Sequence, residues 1–222
     1  RAAPAGALED LEATLRAARN YPDAEYDCIV PLSGGKDSLY LLHRLKVDYG
    51  LRVLAFTCDI DLPPVAWKNM RLALRKLDID HLVYTPAYGF LTKLFRYLLC
   101  NQEARGAVYS VSYVYAPLFE GAAIRLAIEK NIPLVLAGYS PGQPEPERML
   151  YEFAPALISS EDWTPPHLKQ CGQFSEAELE AFYNPLKLRP GTTFPHYLTP
   201  YHAWDYDQDK VIRKVTELGL VQ

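Results

Sequence analysis

Residues 33–38, which read Ser-Gly-Gly-Lys-Asp-Ser, combine side chains that suit the binding of a polyphosphate. The two glycines allow a tight backbone turn and a close approach to a ligand. The two serines and Lys36 supply hydrogen-bond donors and a positive charge, and Asp37 is able to hold a divalent cation beside a phosphate. This composition predicts an anion site for a pyrophosphate group.

The surroundings of this stretch favour the same interpretation. It follows an apolar run at 27–32 and opens a helical pattern at 39–49, so it joins a strand to the N-terminus of a helix. The first N–H groups of a helix have no intrahelical partner and attract anions. The glycine spacing matches neither the Walker-type phosphate loop nor the dinucleotide-binding fingerprint.

The hexapeptide resembles the Ser-Gly-Gly-x-Asp-Ser signature of the PP-loop ATP pyrophosphatases, which cleave ATP between its α and β phosphates. These include GMP, NAD, asparagine and argininosuccinate synthetases and the tRNA thiolation enzymes. The resemblance implies ATP and Mg²⁺ as ligands, Lys36 and Asp37 as catalytic residues, and Asp37 as a Mg²⁺ ligand. The ATP-binding residues that it implies are Ser33, Gly34, Gly35, Lys36, Asp37, Ser38, Thr57, Asp59 and Gly138.

Within this superfamily the sequence is most similar to the N-acetyl sugar amidotransferases. The resemblance covers residues 26–139 and is carried by 26–38, 49–51 and 131–134, with further support from the Gly138 loop and from Tyr206-Asp207 near the end. It implies an enzyme that forms AMP and pyrophosphate while adenylating a carbonyl-type oxygen of a small acceptor, an N-acetyl sugar. Ammonia from a separate glutaminase subunit then attacks the adenylated acceptor. Glu145 is a candidate second metal ligand.

Cys100 leaves two alternatives open. Those amidotransferases carry clustered cysteines in this part of the chain, whereas Cys100 stands alone and resembles the single catalytic cysteine of some sulfur-transferring relatives. A sulfurtransferase acting on a base, a tRNA or a small molecule is therefore one alternative. A module that binds adenine nucleotide without turnover is another. The simpler interpretation of Cys100 itself is a small apolar residue that ends a helix.

Strand and helix patterns alternate along the chain. The sequence predicts strands at 26–32, 51–60, 81–85 and 133–138, with helices at 39–49, 64–77, 90–98, 117–130 and 207–218. Such alternation predicts an open, mostly parallel, doubly wound Rossmann-like sheet of the HUP type with helices on both faces. We expect three parts. These are an N-terminal amphipathic helix with its linker (1–25), the ATP pyrophosphatase domain (26–139) and a loop-rich, aromatic C-terminal appendage ending in a helix (140–222).

Composition limits the class of protein. The 222 residues carry a formal net charge of −4 and no long run of Lys or Arg, so an extended nucleic-acid surface is not indicated. No stretch predicts a membrane span or a signal peptide, and the four cysteines form no Cys-x-x-Cys pair. We expect a cytoplasmic homo-oligomer. The first residue, Arg1, suggests part of a longer or processed polypeptide.

Overall fold

The computed structural model describes residues 5–143 and 151–221. In this part of the chain five strands form one sheet, and their bounds are β1 Cys28–Pro31, β2 Val53–Cys58, β3 Asp80–Tyr84, β4 Leu134–Leu136 and β5 His196–Leu198. The α-helices are α1 Ala7–Ala18, α2 Lys36–His43, α3 Pro64–Leu77, α4 Tyr88–Cys100, α5 Ala107–Glu129, α6 Pro155–Ser160, α7 Pro166–Gln170, α8 Glu176–Leu179 and α9 Gln208–Glu217. A π-helical turn, Arg44–Asp48, extends α2.

The sheet has the strand order β3-β2-β1-β4-β5, and each neighbouring pair is parallel. In register, Cys28 of β1 lies between Val53 of β2 and Leu134 of β4. β1 and β2 are buried along their whole length, which explains their continuous apolar runs. This is the predicted Rossmann-like α/β fold.

Helices cover both faces of the sheet. Alternate residues of β1 point to opposite sides, so Val30 joins the apolar cluster that contains α1, α2 and α3, whereas Ile29 joins the cluster that contains α5. Val211 and Val215 of α9 are also buried, and α9 packs against α2. The prediction of helices on both faces is confirmed. No helix in the described part of the chain has the length and apolarity to cross a lipid bilayer.

Helix boundaries differ from the predicted ones in one large case. The pattern predicted a helix at 117–130, but α5 begins at Ala107 and contains Pro117 in its interior. Proline is usually excluded from helix interiors because it lacks the N–H donor, so its place inside α5 departs from the usual pattern. The helix as a whole packs against α4.

The segment after Gly138 contains a strand that the sequence pattern did not predict. β5 comes from the region that we expected to be loop-rich, and it adds an edge strand next to β4. Tyr197 and Leu198 are fully buried there, and the backbone N–H of Phe153 donates to the carbonyl of Tyr197 on the outer side. Three residues are too few to show an alternating pattern in the sequence, so this strand is recognised only from its pairing with β4 in the structure.

Candidate functional site

The hexapeptide follows β1, the strand at which the order of the strands in the sheet switches from one side to the other. β2 and β3 are placed on one side of β1, while β4 and β5 are on the other. Loops that leave the carboxyl ends of two such strands diverge and open a crevice, which is the usual ligand site of open α/β sheets. The loop of residues 33–38, hereafter the glycine loop, follows β1 at this point, and Gly138 follows β4.

Two glycines bring the backbone of this region together. Gly34 has a φ of +75°, and a Cβ at this position would lie 2.6 Å from the carbonyl oxygen of Ala66 in α3. A Cβ on Gly138 would lie 3.0 Å from the backbone nitrogen of Ser38. The absence of side chains therefore lets α3 lie against the glycine loop and lets the segment after β4 lie against the start of α2.

The serines of the glycine loop organise the loop itself. Ser38 Oγ donates to the carbonyl of Gly35 at 3.0 Å and lies 3.2 Å from Ser33 Oγ, while the N–H of Gly35 donates to Ser33 Oγ at 3.4 Å. No side chain among the described residues caps the N-terminus of α2. The N–H of Leu39 donates to the carbonyl of Gly35 at 3.1 Å, and the helix N–H groups before it have no intrahelical partner, as binding of an anion requires.

The two charged residues of the glycine loop bind each other. Lys36 Nζ lies 2.6 Å from Asp37 Oδ2, and the side chains are 29% and 13% exposed. Burial by itself would lower the pKa of Lys36, but the hydrogen bond and the charge of Asp37, together with Tyr206, outweigh it and raise the pKa. Lys36 therefore stays protonated and available to an anion.

Two tyrosines from the end of the chain reach the same aspartate. Tyr206 donates its hydroxyl to Asp37 Oδ1 at 2.9 Å, and Tyr201 donates to the backbone carbonyl of Asp37 at 2.7 Å. Burial raises the pKa of both phenols, with Asp37 adding to the effect, so both stay protonated donors. Sequence reasoning did not assign either to the site. The only signal was Tyr206-Asp207 as part of the family resemblance.

A cleft of about 530 Å³ opens in front of the glycine loop. Its lining combines polar residues, among them Lys36 and Asp37, with apolar ones, among them Leu62, Phe119 and Ala137. The volume falls within the range of about 300–1,000 Å³ that is typical of small-molecule sites. A ligand that carries both a charged group and an apolar ring matches this mixed lining.

Thr57 and Asp59, which we predicted to bind ATP, make hydrogen bonds within the protein at the end of β2. Thr57 is buried, and its hydroxyl donates to the carbonyl of Leu32 at 2.8 Å and lies 2.8 Å from His81 Nε2. Asp59 Oδ1 accepts the N–H of Asp61 at 3.0 Å. These side chains shape the loops around the cleft. Cys58, between them, lines it, and burial, with Asp59 adding to it, raises the pKa of its thiol to about 12.

Cys100 lies outside this cleft. It is the last residue of α4, is exposed, and lines a separate groove together with Arg96, Tyr97 and Gln173. The structure therefore does not bring Cys100 to the glycine loop. Glu145, the candidate second metal ligand, lies outside the described residues.

Asp37 is the candidate metal ligand for which the structure gives a position. Among the described residues, no group of three or more His, Cys, Asp and Glu side chains could hold a metal ion. A Mg²⁺ ion nevertheless fits, because it is commonly bound through one or two carboxylates, substrate phosphates and water. In such an arrangement the phosphates of the ligand complete the site.

No family model matches the chain, and neither does any curated protein. Among solved structures, the U34-tRNA thiolase NcsA from Methanococcus maripaludis is similar with 14% identity and a TM-score of 0.49, covering 95% of this chain. The chain spans 64% of that thiolase. An NH3-dependent NAD synthetase from Campylobacter jejuni has 11% identity and a TM-score of 0.48, covering 96% of this chain and 74% of the synthetase. The NMN synthetase of Francisella tularensis has 17% identity and a TM-score of 0.43, covering 60% and 53%.

Proposed function

We propose that this protein is an ATP-dependent enzyme that cleaves ATP between the α and β phosphates and adenylates a small acceptor. One observation carries the proposal, namely the glycine loop with Lys36 at the uncapped N-terminus of α2, placed in the crevice between β1 and β4. Backbone N–H groups and a lysine in this arrangement offset the charge that develops on departing pyrophosphate. The apolar residues that line the cleft suit the adenine ring.

Lys36 has to change partner for this chemistry. Its ammonium group is bound to Asp37 Oδ2 in the structure, so it would move from this carboxylate to the phosphates when ATP enters. Asp37 Oδ2 then becomes available to Mg²⁺, which supplies further charge neutralisation when it is bound. Gly138 lets the nucleotide approach the β4 loop, while Thr57 and Asp59 support the surrounding loops.

For the acceptor we propose a carbonyl-type oxygen of an N-acetyl sugar, with ammonia from a separate glutaminase as the nucleophile. The placement of the cysteines favours ammonia over sulfur. Cys100 lines another groove, and the raised pKa of Cys58 disfavours the thiolate that sulfur transfer needs. The ammonia route requires no nucleophile from the enzyme. The products distinguish the two, because ammonia gives an amidine and sulfur gives a thioamide.

The proposal is tested by incubating the protein with ATP, Mg²⁺, ammonium and a panel of nucleotide-linked N-acetyl sugars. AMP and pyrophosphate should form in equal amounts and depend on one acceptor. Release of ADP and phosphate would contradict attack at the α phosphorus. Binding of ATP without any acceptor-dependent release would instead indicate a non-catalytic nucleotide-binding module.

Lys36→Met should lower the rate of pyrophosphate release about 100-fold, because it removes a charge that stabilises the transition state while keeping the apolar stem. The rate is measured with a coupled pyrophosphate assay. Lys46→Met is the matched control, since Lys46 lies in the π-helical turn after α2 and donates to the carbonyl of Asp78 on the surface. Equal rates for the two variants would refute the assignment of Lys36.

A further inference from the structure

The hydroxyl of Tyr206 touches both charged residues of the glycine loop. It lies 2.9 Å from Asp37 Oδ1 and 3.4 Å from Lys36 Nζ, although Tyr206 is 169 positions away from Asp37 in the sequence. A side chain that contacts both the candidate phosphate-binding lysine and the candidate metal-binding carboxylate is placed to influence how they exchange partners.

Tyr206 is held in place by the packing of the residues before it. Its ring packs edge-on against that of Tyr201, with 5.2 Å between the ring centroids. Tyr201 is buried and donates to the backbone carbonyl of Asp37 at 2.7 Å. One tyrosine therefore fixes the backbone of Asp37, and the other contacts its side chain from a rigid support.

The two carboxylate oxygens of Asp37 have different partners. Oδ1 accepts from Tyr206, whereas Oδ2 is bound to Lys36. If Lys36 moves to a phosphate, Oδ2 loses its partner but Oδ1 keeps its own. The carboxylate then needs no new rotamer to present Oδ2 to a cation, so the loss of side-chain entropy that a free carboxylate would suffer is avoided.

We propose that Tyr206 is a positioning residue that holds the Asp37 carboxylate while Lys36 moves to the phosphates of ATP, an inference that rests on the proposed function. A side chain from the last part of the sequence thereby supports a site that is built around the glycine loop. Tyr206 acts through Asp37, and its removal should lower the affinity for the nucleotide with Mg²⁺.

The test replaces Tyr206 by phenylalanine, which keeps the ring against Tyr201 and removes only the hydroxyl. Calorimetry with α,β-methylene-ATP, a non-cleavable analogue, measures the Kd at low and at saturating Mg²⁺. Tyr206→Phe should bind the analogue about tenfold more weakly at low Mg²⁺, because the Asp37 carboxylate is no longer held and has to be ordered when the nucleotide and Mg²⁺ bind. Saturating Mg²⁺ should restore most of the affinity. In turnover assays the KM for ATP should rise more than kcat falls.

Tyr49→Phe is the matched control. Its hydroxyl accepts the indole N–H of Trp204 at 3.1 Å, so this variant loses a hydrogen bond of the same C-terminal packing away from Lys36 and Asp37. Its Kd should equal that of the wild type. The inference about Tyr206 would be overturned if Tyr206→Phe bound the analogue like the wild type. It would also be overturned if Tyr206→Phe lost affinity independently of Mg²⁺ and by as much as Tyr49→Phe. Neither result would contradict the proposed function. A wild-type protein that neither binds the analogue nor releases pyrophosphate would overturn the proposed function.

Discussion

Asp37 belongs to the glycine loop and also binds residues 201–206, and these two regions are held in place by different interactions. The loop is shaped by backbone contacts, since Gly34 lies against the carbonyl of Ala66 and Gly138 against the start of α2. The C-terminal residues depend on aromatic side chains instead. A short motif can therefore determine the backbone conformation of the loop. Side-chain packing, in contrast, requires partners from distant parts of the chain.

The packing of residues 201–206 centres on Trp204. Its ring stacks on Tyr49 at a centroid distance of 5.8 Å, and the guanidinium of Arg44 lies 3.7 Å from its ring centroid. Both partners belong to the π-helical turn after α2 or to the residue that follows it. The end of the chain is therefore fastened to the same helix whose N-terminus forms the candidate site.

The largest effect should come from breaking the backbone contact. Gly34→Ala places a methyl group against the carbonyl of Ala66 at a positive φ, so it should lower the free energy of unfolding by more than about 2 kcal/mol. Urea titration measures this.

Gly35→Ala provides the comparison within the same loop. The φ of Gly35 is −81°, and a Cβ there would lie 3.5 Å from Ser33 Oγ as its nearest neighbour. Its stability should stay the same or rise by about 0.5 kcal/mol. Similar losses for the two variants would show that the loop does not depend on the contact with α3.

An intermediate effect on stability is expected from a substitution in residues 201–206. Tyr201→Phe removes a buried hydroxyl that donates to the carbonyl of Asp37, so it should lower the free energy of unfolding by about 1 kcal/mol. The denaturant midpoint should fall without a change in the slope. A loss as large as that of Gly34→Ala would mean that the two regions are equally intolerant of change.

The smallest effect is expected at the far edge of the sheet, where His196 Nδ1 lies 2.7 Å from Glu152 Oε1. The hydrogen bond and charge of Glu152 raise the pKa of His196, and Asp10 adds to this, although burial opposes it. A raised pKa stabilises the fold below the unfolded value of about 6.5, and this stabilisation is lost as pH rises through the folded pKa.

Glu152→Gln should therefore cost less than about 1 kcal/mol, because the His196 side chain is 60% exposed and solvent screens the pair. The cost should be present near about pH 5.5 and absent near about pH 8.5. Unfolding in urea at both pH values tests this, with Glu161→Gln on the exposed Glu161 as control. A cost independent of pH would rule out titration of His196 as its source.

The central fold and the glycine loop could be predicted from the sequence because their signals are local. A buried parallel strand is a continuous apolar run, as at Val53–Cys58, and a glycine turn before a helix marks the anion site in consecutive residues. Gly50, with a φ of +62°, follows the π-helical turn and is a third local signal, because glycine commonly ends helices in this conformation. None of these features needs information from another part of the chain.

Tertiary structure alone decided the rest. β5 becomes a strand through its pairing with β4, and Tyr201 and Tyr206 reach Asp37 only because the end of the chain packs on α2. Cys100, which the sequence left as a candidate nucleophile, lies in another groove because α4 carries it there. Sequence determined the chemistry of the glycine loop, since that depends on adjacent residues. Its partners depend on contacts between residues far apart in the chain, and these exist only once the core is packed.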